Sequence, residues 1–239
     1  MVYVIFFLAS FVQALGGFGA GLFAVPLLAL AYEPKFVVPP FSLTVLVFNI
    51  LLVSGIRKNI EWEKIFLIVI GSMMGMPFGV FSLKYVNQDI IRLFISAVTV
   101  VVGIFFLSGY RLKIKKKKII FILSGIISGF LSGTAAMGGP PLIFLMISMG
   151  LSKDVFRACL LTCFLFNGIY ANMLYLLNGM FNSENIKIAL FGFLPALTGA
   201  LLGIKAKNLL SDERFDRITI IIVILIGFIG TIRAVFLFL

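Results

Sequence analysis

The sequence predicts an all-α polytopic membrane protein built from two homologous halves, and three observations carry that reading. Of its 239 residues, 62% are hydrophobic and only 12% are charged, and the mean hydropathy is +1.19. A soluble domain carries about 25% charged residues, so this chain lacks the polar surface to coat a globule in water. The apolar residues fall in long runs of membrane-crossing length, unlike the short alternating segments of a β-barrel. Features of the first half also recur, in order, in the second.

The apolar segments are 2–32, 36–56, 65–83, 90–109, 119–151, 155–178, 186–204 and 218–238. The start of the chain has no basic n-region and no clear small-x-small cleavage site, so 2–32 is expected to be mature structure and no leader. Segments 2–32 and 119–151 exceed the ~20 residues of a span. Both are broken by glycine. The first contains Gly16-Gly17-Phe18-Gly19-Ala20-Gly21, and the second runs from Ser132 through Gly138-Gly139 to Pro140-Pro141. Four glycines in six residues cost a helix up to ~1 kcal/mol each relative to alanine.

The repeat follows the chain. Leu43-Thr44 and Phe48-Asn49 recur as Leu161-Thr162 and Phe166-Asn167. Gly75, Gly79 and Gly103 recur as Gly199, Gly203 and Gly227. Gly17 through Pro26 matches Ser132 through Pro141, displaced by 115. Residues 1–110 thus form an N-terminal repeat, 111–118 a basic linker and 119–239 a C-terminal repeat, a common transporter plan.

Lysine and arginine then choose a topology. If all eight segments cross once, the two faces hold 11 and 9 basic residues, almost without bias. If segments 2–32 and 119–151 are re-entrant hairpins, the faces hold 15 and 5. The positive-inside rule selects the second arrangement. Each half is then one glycine-broken re-entrant segment plus three transmembrane helices. An odd number of crossings makes the halves inverted repeats, with linker 111–118 cytoplasmic. The net charge of +11 reads as topology signal and contact with anionic lipid headgroups, with no nucleic-acid partner.

A break at membrane depth is tolerated where protein or a water-filled cavity surrounds it. The half-helix that follows presents free N–H groups and a partial positive charge, which makes an anion site without arginine. Gly17, Gly19 and Gly21 in the first break, and Ser132, Gly133, Thr134, Gly138 and Gly139 in the second, are the candidate substrate contacts. The paired polar residues Thr44, Asn49, Thr162 and Asn167, with Gln13, are expected to line the cavity or to bond between helices. Arg157 either snorkels to the interface or draws anions in at the cavity mouth. Gly71, Gly75 and Gly79, spaced by four, read as close helix packing.

Catalysis finds little support. The chain has no histidine, and Cys159 and Cys163 sit one turn apart in an apolar run, where they read as small buried residues. Every carboxylate falls in or beside a loop, which argues against a proton relay of side chains. No nucleophile–base set, metal cluster or Gly-Lys-Ser/Thr phosphate loop occurs, and GGFGAG lacks the spacing and context of a dinucleotide fingerprint. No cofactor or metal is expected.

The breaks QALGGFGAGLFAVPLL and SGFLSGTAAMGGPPLIFL resemble the paired glycine-rich signatures of the sulfite exporter TauE/SafE family. The resemblance covers essentially the whole chain. The second motif, Gly129 to Gly133 and Gly138 to Leu142, is the more specific. It implies a membrane permease moving small sulfur-containing anions such as sulfite or an organosulfonate. The expected function is a secondary transporter in the cytoplasmic membrane, working by alternating access of two repeats. A channel-like pore or a non-transporting membrane assembly protein is the alternative. Beyond substrate and lipid, a homodimer stays open.

Overall fold

The computed structural model describes residues 1–108 and 118–206. Segment 218–238 and most of the linker lie outside the described residues. Within them the chain is helical: α1 Val2–Gly16, α2 Ala20–Ala31, α3 Pro34–Ser54, α4 Trp62–Tyr85, α5 Gln88–Leu107, α6 Lys118–Ala135, α7 Gly139–Ser148, α8 Lys153–Leu177 and α9 Ser183–Ala206, with a 3₁₀ turn at Arg57–Asn59. Six of these helices, α3 to α6 with α8 and α9, are long and apolar enough to cross a membrane.

Local chemistry sets the ends. Pro34 opens α3 and Pro140 and Pro141 open α7, where a missing N–H costs nothing. The Asn87 side chain accepts from the Asp89 N–H at 2.8 Å to start α5. Asn182 does the same for α9, accepting from the N–H groups of Glu184 and Asn185.

Both long segments break, as predicted, but the second break is narrower than the stretch from Ser132 to Pro141. The first is at Gly17 (φ 81) and Gly19 (φ 103), the left-handed conformations that favour glycine. The second is at Ala136 (φ 51), with Met137 and Gly138 before α7 begins. Ser132, Gly133 and Thr134 are therefore not in the gap; they form the last helical turn of α6. The left-handed residues Gly17 and Ala136, and the helix starts Ala20 and Gly139, both lie 119 apart. The displacement of 115 read from the prolines is off by one turn. Its cause is that Pro26 lies inside α2 while Pro140 and Pro141 occupy the first turn of α7.

Two seams of small residues hold the bundle. On α4, Gly71, Gly75 and Gly79 rest on the backbone of Ile122, Ile126 and Phe130 of α6. In return Gly125, Gly129 and Gly133 rest on Ile68, Ser72 and Met76. Higher numbers meet higher numbers, so α4 and α6 run parallel. Gly192, Gly199 and Gly203 of α9 meet Phe6, Phe7 and Phe11 of α1 in the same parallel sense. Between the seams α3 packs on α8. There Gly168 lies against Leu46 and Asn172 bonds Ser42, so these two helices run antiparallel. Lipid supplies no hydrophobic drive between helices, and close backbone approach along such seams supplies dispersion contact instead.

The outer faces are apolar. Phe66, Phe78 and Phe81 on α4 and Leu190, Phe191 and Leu194 on α9 are exposed, whereas Gln13, Asn49, Ser132 and Asn167 are buried. Apolar outside and polar inside is the arrangement of a chain whose solvent is a bilayer. The protein is a multi-pass membrane protein.

Candidate functional site

Both breaks open onto one central cavity of about 60 Å³, room for roughly four to six water-sized groups. Its wall includes the first turn of α2 (Ala20, Gly21 and Leu22), the second break from Ala136 to Gly139, and the side chains of Gln13, Ser42, Asn49, Ser132, Phe164 and Asn167. The breaks touch. A methyl group on Gly21 would run into the carbonyl of Ala136, so only glycine permits this approach.

The polar side chains come as two pairs. Gln13 Nε2 donates to Asn49 Oδ1 at 2.7 Å. Asn167 Nδ2 donates to Ser132 Oγ at 3.2 Å and Ser128 Oγ at 3.3 Å. Gln13 precedes its break by four residues, and Ser132 precedes Ala136 by four. The two pairs thus occupy corresponding places in the two halves. The second break is tied further: Ser128 Oγ donates to the Gly138 carbonyl at 2.7 Å, and Tyr175 OH donates to the carbonyls of Gly133 and Ser132 at 2.9 and 3.3 Å.

No lining side chain carries a charge. Positive potential comes from the backbone. The α2 N-terminus has no side-chain cap, and its first intrahelical bond is from Phe23 N–H to Gly19. The N–H groups of Ala20, Gly21 and Leu22 are the ones a helix start leaves without helical partners, and all three residues line the cavity. The α7 start is poorer in donors, because Pro140 and Pro141 have no N–H.

Eight of the predicted contacts meet here: Gln13, Gly19, Gly21, Asn49, Ser132, Gly138, Gly139 and Asn167. Six do not line the cavity. Thr44 and Thr162 bond carbonyls one turn back, Pro40 and Ala158, at 2.9 and 2.7 Å, and Thr44 also reaches the Ala189 carbonyl. Thr134 bonds Phe130 and faces Gly79 across the α4 seam, and Gly133 sits in that seam. Arg157 Nη2 donates to the Ala14 carbonyl at 2.7 Å, near the end of α1, and its side chain lies beside Gly17. The sequence reading missed Ser42, Ser128, Phe164, Asn172 and Tyr175. Ser128 alone left a signal, four residues before Ser132 on the same helical face.

Two broken helices close on one cavity without charged side chains inside an apolar, multi-pass membrane bundle. The chain matches the family model described as Sulfite exporter TauE/SafE over residues 2–229, and it belongs to that family. No curated protein and no solved structure matches it. The family is one of membrane transporters of sulfur-containing anions.

Proposed function

We propose that this chain is a secondary transporter that moves a small sulfur oxyanion, sulfite or a small organosulfonate, across the cytoplasmic membrane. The observation that carries the reading is the meeting of both helix breaks at a buried cavity whose positive potential is backbone-built. The anion sits against the first turn of α2, and the amides and hydroxyls of Gln13, Asn49, Ser132 and Asn167 complete its hydrogen bonds.

Alternating access of two inverted repeats fits the packing. Exchanging α1–α4 for α6–α9 turns the α4–α6 seam into the α9–α1 seam and returns the α3–α8 pair to itself. Equivalent helices that run antiparallel require a twofold axis across their length, which lies in the membrane plane. Re-entry is supported at the ends of the bundle. The end of α2 meets the start of α5, where Arg92 Nε donates to Ala29 at 3.1 Å. The start of α3 meets Gln88. With α1 parallel to α9, the hairpin α1–α2 starts and finishes toward this one end. The opposite end gathers Lys64, Lys118 and Lys153, the basic face that the positive-inside rule places in the cytoplasm.

A cavity of about 60 Å³ whose wall is pinched where Gly21 meets Ala136 favours a carrier over an open pore. The test is flux of labelled sulfite, sulfate and taurine in proteoliposomes. Saturable movement of at least one is expected. A chain that moves none of them overturns the reading.

A further inference from the structure

A second polar pocket, of about 680 Å³, opens at the end of the bundle away from the linker. It lies where α2 runs into α3, where α4 ends and where α8 turns into α9. Among the described residues that end carries four basic side chains, and three of them, Lys35, Lys84 and Arg92, line this one pocket. A face with few cations concentrates most of them in one place.

Their partners leave positive charge over. Lys35 pairs with Glu33 at 3.4 Å, with both side chains about half exposed, and such a pair is weak and screened. Arg92 pairs with Asp89 at 2.6 Å. Lys84 meets no carboxylate among the described residues. Its Nζ donates to the Asn178 carbonyl at 2.8 Å and lies 5.0 Å from the Tyr85 ring. An ammonium has three N–H donors, so two remain. On the wall itself three cations meet one carboxylate, Glu33, with Asp89 bound to Arg92 beside it and the exposed Glu184 at the same end but off the wall, and a concave wall with that excess focuses potential on anions.

We propose that this pocket is a second anion site, a vestibule that holds a free small oxyanion at the face opposite the linker. The idea rests on the transporter reading above, since it gives an anion carrier a binding site at the face opposite the linker. Lys84 and Lys35 supply the charge, and the sulfate or sulfite class of ion fits the exposed Lys35 and the half-buried Lys84 with its two remaining N–H donors. An anionic lipid headgroup carries similar oxygens and is the rival occupant.

The test reads occupancy without flux. Ala31 is small, exposed and on the pocket wall, and the native Cys159 and Cys163 are buried. The full chain carrying A31C is reconstituted in phosphatidylcholine vesicles and labelled with a membrane-impermeant maleimide. Sulfate is expected to slow labelling about threefold relative to chloride at equal ionic strength. The protection should vanish in A31C/K84Q and weaken in A31C/K35Q. Lys84 also ties α4 to α8, whereas Lys35 is exposed, so the K35Q arm stands if K84Q fails to fold. Equal labelling in sulfate and chloride overturns the proposal, as does protection that survives both lysine variants. Protection that appears on adding phosphatidylglycerol, with no sulfate present, assigns the pocket to lipid and also overturns it. A chain that moves no sulfite in vesicles yet shows the lysine-dependent protection refutes transport and keeps the vestibule site.

Discussion

At the scale of single residues, the site separates polar groups that bond each other across helices from those that bond their own helix. Asn49→Ala takes the 2.7 Å acceptor from Gln13 Nε2. A buried donor left without a partner costs about 1–3 kcal/mol, so the melting temperature in detergent should drop by several degrees and flux should fall. The double variant Q13L/N49L removes both polar groups and should regain most of the stability without regaining flux. Recovery of both would show that the pair has no part in binding. Thr162→Val is the contrasting case. Its hydroxyl bonds the Ala158 carbonyl one turn back and does not line the cavity, so flux should stay within about twofold of the native chain. The sequence marked Asn49 and Asn167 by their recurrence, and it marked Thr44 and Thr162 equally. Recurrence marks only corresponding positions in the two halves. All four are buried, and only helix rotation decides which of two polar residues five apart faces the cavity.

At the scale of elements, the seams explain why glycine is so frequent outside the breaks. Gly75 lies on the backbone of Ile126, and any side chain there must push α4 and α6 apart. Gly75→Ala should destabilise the bundle by about 3 kcal/mol or more, since the clash is with backbone, measured by thermal unfolding. Gly150→Ala is the control. It has φ +66 and nothing within 4 Å, so it carries only the backbone term of roughly 1–2 kcal/mol. If both variants unfold alike, close approach along the seam is not what these glycines provide. The helices themselves were legible in sequence. Segment 65–83 lies inside α4, Trp62–Tyr85, and 155–178 covers α8, Lys153–Leu177, but for its first two residues. The second break falls inside the expected stretch, Ser132 to Pro141, but its pairing with the first is one turn off, because proline serves there as the marker. The chain turns instead at Ala136, a residue with no compositional signal, held by the Ala136 N–H to Ser132 carbonyl bond at 2.9 Å.

At the scale of the whole molecule, the pairing of helices makes topology testable. Lys35 begins α3 beside Gln88, and Lys153 begins α8 at the other end of the bundle. Cysteine at position 35 should label from outside intact cells, and cysteine at 153 only after the membrane is opened. Labelling of both from one side would replace the hairpins with single crossings. The same exchange of halves that maps one seam onto the other leaves the two breaks unequal. The second is held by Ser128, Ser132, Asn167 and Tyr175, the first chiefly by Gln13 and by Arg157 at Ala14.

The sequence by itself determined the class of protein, the approximate limits of the long helices among the described residues, and the two segments in which a helix comes apart. Those follow from hydropathy and glycine content, which act locally along the chain. The tertiary structure alone decided that the breaks meet, with Gly21 on Ala136, and that the neutral side chains of Gln13, Asn49, Ser132 and Asn167 converge with the first turn of α2. It also brought Lys35, Lys84 and Arg92 to one pocket. These contacts join residues tens to more than a hundred positions apart. Their partners are fixed by how the glycine seams let backbones approach and by how α3 and α8 cross between them, which no local pattern encodes.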